Sequence, residues 1–122
     1  MLIALWIVNA LLAFAFLGAG LMKLARPKPA LAASGMAWTE DFGSPSVKLI
    51  GALEVIGAVG LIVPLLTGIA PILTPIAAVG LAIVMIAAAV VHVRRKEAAT
   101  PAIVLAVVSI VSAVLGFVVV LG

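Results

Sequence analysis

Cysteine is missing from this chain altogether, and charge is scarce: its 122 residues hold four acids, seven Lys and Arg, and one His. Without cysteine there can be no disulfide, no thiolate metal centre and no thiol redox chemistry carried by the chain itself. A zinc site built around the single His would have to draw on Glu40, Asp41 or Glu54, whose spacings support no such site, and haem would lack a second histidine. No nucleophile–base pair, phosphate-binding loop or nucleotide motif is present. The chain is therefore expected to hold no metal, no cofactor and no self-contained catalytic centre.

What fills the chain is apolar, with 67% hydrophobic and 9% charged residues. A soluble domain has roughly 45–50% apolar and about 25% charged residues. So short a chain could not bury that much apolar surface from water, and only an integral membrane protein fits. One domain over residues 1–122 is expected, because no polar linker separates the apolar runs. The net charge of +3 and a pI near 10.0 would suggest nucleic acid in a soluble protein. Here the cations flank apolar runs, so they read as topology signals and headgroup contacts; the partner is the lipid bilayer, not nucleic acid.

The expected architecture is an all-α integral membrane bundle of four transmembrane helices, at residues 2–22, 46–66, 74–93 and 101–121, with a short interfacial helix between the first two. No Lys or Arg precedes the first run, and Lys23, Arg26 and Lys28 follow it, which is the reverse of a cleaved signal peptide. Along it, Asn9, Ala13, Phe16, Gly20 and Lys23 share one face. Pro27 and Pro29 stop this helix. In the connection that follows, Leu31, Trp38 and Phe42 fall on one face of a helix running from Pro29 to near Phe42, lying on or partly in the bilayer; a plain loop is the rival reading. Ser44 and Pro45 read as an N-cap and first-turn proline. Pro64 to Pro75 reads as a short turn, and Pro101 opens the last helix. All seven Lys and Arg lie at the 1–2 and 3–4 connections or the adjoining helix ends, so the positive-inside rule places those connections in the cytoplasm and both termini outside.

Glu54 is the residue around which the rest is organised. It lies roughly 12 Å beyond Ser46 along the second helix, in the middle third of the bilayer. An unpaired carboxylate there costs several kcal/mol. Gly51, Gly57 and Ala58 share its face and turn it towards the bundle. Its candidate partners are Lys23, His92, Ser109 and Ser112. Ser109 lies on a smooth face of the fourth helix with Ala102, Ala106, Ala113 and Gly116, eight residues past Pro101 and level with Glu54. Two readings of Glu54 stand open: a proton- or ligand-binding carboxylate in a small cavity, or a structural ion pair fixing helices 1, 2 and 3. His92 can equally be an interface residue at its helix end. Asn9 reads as a helix–helix hydrogen bond nearer the opposite leaflet, Trp6 as an interfacial anchor, and Met22, Met36 and Met85 as packing residues.

The stretches GAGLMKL at 18–24, FGSPSVKLIGALEVIGAVGLIVPLLTG at 42–68 and PILTPIAAVGLAIVMIAAAVVHVRRKE at 71–97 resemble the DoxX-like family of small bacterial membrane proteins. The resemblance covers roughly residues 16–117. It implies a four-helix bundle in the bacterial cytoplasmic (inner) membrane, with Lys23, Glu54 and His92 as the family's polar positions. Relatives include a subunit of a thiosulfate:quinone oxidoreductase, and distant eukaryotic members assist receptor assembly. Where the family's fourth helix often ends in Arg, this chain reads GFVVVLG. The first expectation is therefore binding of a small amphipathic molecule, quinone-like or lipid-like, at Glu54 with His92, Lys23 and Ser109 around it, the chain serving as accessory subunit of a membrane redox system. The alternatives are a proton-coupled small-molecule transporter, or a structural partner of another membrane protein. A homodimer is compatible with each.

Overall fold

Prolines sit where the apolar runs begin or break, and the helices follow them. The computed structural model, which describes residues 1–122, contains helices and no strands. Helix α1 spans Leu2–Ala25 and ends where Pro27 forbids continuation. The short α2 covers Lys28–Ala33, with Pro29 in its first turn. Helices α3 (Ser44–Thr67), α4 (Leu73–Arg94) and α5 (Thr100–Leu121) complete the chain, and Pro45 and Pro101 lie in the first turns of α3 and α5. The four long helices have 22 to 24 residues and mean hydropathy of 2.3 to 3.0. At about 1.5 Å per residue each exceeds the roughly 30 Å hydrocarbon core. All are somewhat longer than the apolar runs alone suggest, because their ends continue into the polar interface.

The connection between α1 and α3 differs from the single interfacial helix expected. Gly35 adopts φ 95°, a left-handed conformation that breaks the helix after Ala33. A 3-10 turn at Ala37–Asp41 follows, with Thr39 Oγ1 donating to the Met36 carbonyl at 2.8 Å. Ser44 is also not the N-cap of α3. Gly43 holds that place in extended backbone, and the Ser44 side chain makes no capping bond. At the other end, α3 runs past Pro64 to Thr67 and closes on Gly68 at φ 72°. Pro64 has no N–H for the Gly60 carbonyl. The Thr74 hydroxyl of α4 donates to that carbonyl instead, at 2.9 Å, so the break is repaired by a neighbouring helix.

The long helices form a ring: α1 packs on α3, α3 on α4, α4 on α5, and α5 closes onto α1. Leu12, Phe16, Leu61, Ala78, Leu81 and Ala113 make the core. Phe14, Ile56, Ile83 and Val114 point outward, as helices solvated by lipid require. The α1–α3 contact depends on two glycines. A Cβ at Gly20 would lie 2.7 Å from the Gly51 carbonyl oxygen, and one at Gly51 would lie 2.8 Å from Lys23 Cβ. Small residues thus let the two backbones meet and bring Lys23 alongside α3.

Candidate functional site

Close approach at Gly20 and Gly51 leaves Lys23 one turn from Glu54. The Lys23 ammonium donates to Glu54 Oε1, and both side chains are buried. That contact removes two isolated charges from the low-dielectric interior, where either alone would be strongly unfavourable. Glu54 Oε2 accepts no hydrogen bond from the protein.

The pair forms the polar wall of a cavity of about 420 Å³. Helix α1 contributes Ala19 and Lys23, α3 contributes Ile50 and Glu54, α4 contributes Val84, Ala88, Val91 and His92, and α5 contributes Pro101, Ala102 and Leu105. Trp38 and Phe42 from the connection cover it. Their rings meet edge-to-face with centroids 5.8 Å apart, and Lys23 Nζ lies 5.7 Å from the Trp38 ring centroid, in cation–π range. Ile83 and Ala87 of α4 line the same cavity and are exposed on the outer surface of the bundle. The cavity therefore opens sideways between α3 and α4, towards acyl chains.

The cover is fastened at the polar end. Arg95 bonds Asp41 across the two connections, and its Nε donates to Glu97 Oε1 at 2.7 Å. The hydrogen bond that Arg95 donates to Asp41 holds the guanidinium above its already high ordinary pKa, so the latch keeps its positive member throughout the physiological range. His92 Nδ1 lies 3.4 Å from Glu97 Oε1 but makes no hydrogen bond, and it is buried. An unpaired buried donor or acceptor at a cavity wall is a group still able to take a partner.

The structure thus brings Lys23, Glu54 and His92 to one cavity and leaves Ser109 outside its lining. Ser109 is fully buried and its hydroxyl has no partner. Ser112 does not turn to Glu54: its hydroxyl donates to Asn9 Oδ1 at 2.5 Å, while Asn9 Nδ2 donates to the Leu61 carbonyl at 2.9 Å. Asn9 therefore ties α1 to α3 and α5 in the opposite half of the bundle. Sequence reasoning placed Trp38 and Phe42 at the membrane surface and missed them as cavity walls. Their four-residue spacing was the available signal.

What such a site can do is hold a molecule with an apolar body and one polar end. The walls are mostly aliphatic, with an ammonium, a carboxylate and an imidazole at one end. No three His, Asp or Glu side chains converge as a metal site would need. Compared with known proteins, the chain matches no curated protein and no solved structure. The sequence model of the DoxX-like family matches residues 7–118.

Proposed function

Because this chain belongs to the DoxX-like family, we propose that its four-helix bundle serves as a bacterial inner-membrane receptor for a small amphipathic molecule, quinone-like or lipid-like. The molecule enters between α3 and α4 and sets its polar end against Glu54, with Lys23 and His92 beside it. One observation carries this reading: the only carboxylate within the spans lies on the wall of a cavity that is otherwise aliphatic and open to the lipid side. With no cysteine and one histidine, the chain would serve a membrane redox system as an accessory subunit, presenting the molecule to a partner. The seven cations at one end of the bundle support a cytoplasmic placement of that end, with both termini outside and the cavity in the inner leaflet.

Trp38 is a built-in reporter. Only Trp6 competes with it, so Trp6→Phe leaves a single indole at the cavity mouth. In proteoliposomes of that variant, a short-chain benzoquinone is expected to quench Trp38 saturably. Adding Glu54→Gln should weaken apparent affinity about tenfold, since a hydrogen bond to a charged group is worth roughly 1.5–3 kcal/mol. Unsaturable quenching would refute the cavity as a binding site, and equal affinity would remove Glu54 from it.

The direct Lys23–Glu54 contact also favours a second reading, a clamp joining α1 to α3. A clamp alone predicts that Glu54→Gln lowers stability and leaves quenching by the quinone unchanged.

A further inference from the structure

Five of the seven cations take no part in the cavity or its latch, and three of them meet elsewhere. Arg26, Lys28 and Lys48 line an open concavity of about 870 Å³ on the outer side of the α1–α3 seam, together with Pro27, Pro29 and Ser44. Glu40 also lines it, leaving a local surplus of positive charge. None of the three cations is within ion-pair distance of any carboxylate, whereas Arg95 has two. They are nevertheless positioned. Lys48 Nζ donates to the Leu24 carbonyl at 3.0 Å, at the C-terminal end of α1, and Arg26 Nη1 donates to Ser34 Oγ at 3.4 Å.

We propose that this concavity binds the phosphodiester headgroup of an anionic phospholipid, with its acyl chains running down the exposed leucines of the same seam. The height is right: the concavity lies where α1 ends at Ala25 and α3 begins at Ser44, the level of the headgroups. Immediately below, Leu17, Leu21 and Leu24 of α1 are 37% to 50% exposed. A basic rim above an aliphatic track matches both ends of a phospholipid. A soluble phosphate compound shares the headgroup chemistry and would use only the rim. Unpaired Lys and Arg at the membrane surface attract anionic lipid strongly enough for each to matter separately. The site lies across the α1–α3 seam from the cavity and does not depend on the function proposed for it.

The test is lipid retention by the full chain, purified from nanodiscs of mixed phosphatidylglycerol and phosphatidylcholine and read by native mass spectrometry. Wild type should keep phosphatidylglycerol preferentially. Arg26→Gln with Lys48→Gln should reduce that retention roughly tenfold, while the equally charge-depleted Arg94→Gln with Lys96→Gln should leave it near wild type. Equal loss in both double variants would overturn the proposal, because the effect would then be bulk charge. Displacement of the lipid by millimolar glycerophosphate would overturn it too, by pointing to a soluble ligand. Wild type provides a check that needs no variant. Phosphatidylglycerol with a photoreactive acyl chain should label residues 17–29 and 44–53, and labelling spread evenly over all four long helices would reject the site.

Discussion

The two halves of the bundle meet the same low-dielectric solvent in opposite ways. In the half holding Asn9, Leu61, Thr74 and Ser112, side-chain hydrogen bonds link α1, α3, α4 and α5, and Leu12, Phe16 and Leu81 fill the space between. In the half holding Lys23, Glu54 and His92, an ion pair faces a cavity and an imidazole nitrogen stays unpaired. One half uses its polar groups to specify packing. The other keeps polar capacity unspent beside open space, which a purely structural bundle has no reason to do.

Breaking the ion pair should have the largest effect. Lys23→Ala or Glu54→Ala strands a buried charge and should lower stability by about 3–5 kcal/mol, whereas Lys23→Met with Glu54→Leu should recover most of it. Reversible unfolding in mixed micelles would measure both; equal losses in single and double variants would show that loss of the pair itself, and not a stranded charge, carries the cost. Next comes the seam that positions it. Gly20→Ala drives a methyl into the Gly51 carbonyl and should cost about 1–3 kcal/mol. Gly18→Ala, with nothing within 4 Å, should be neutral or slightly stabilising.

A smaller effect separates the well-satisfied half. Thr74→Val leaves the Gly60 carbonyl without a donor and should cost about 1 kcal/mol. Pro64→Ala restores a backbone N–H, so in that background the Thr74 substitution should become nearly silent. A double-mutant cycle with no coupling would break this account of the proline. The smallest effect is expected at the latch. Arg95→Gln should leave unfolding almost unchanged while raising quenching of Trp38 by acrylamide in the Trp6→Phe background, and high salt should mimic it in the parent. Unaltered Trp38 accessibility would mean the cover holds without the ion pair.

Periodicity made the inward faces legible: Gly51, Glu54, Gly57 and Ala58 are all buried as their spacing implies, and so are Ala102, Ala106, Ser109, Ala113 and Gly116. The connection was less legible, because one left-handed glycine redirects it and apolar spacing carries no record of φ. Ser112 was a harder case. Its partner Asn9 lies 103 residues away, and both serines share the inward side of α5, so only the packing of α5 against α1 could choose between them.

Hydropathy and charge placement alone determined a membrane protein with four crossings and a buried acid, because a bilayer admits few ways to satisfy a backbone and penalises every stray charge. Which groups meet that acid, and that space remains beside it under Trp38, came from helix–helix distances. Those distances follow from glycine contacts between segments far apart in the chain, which no local pattern records.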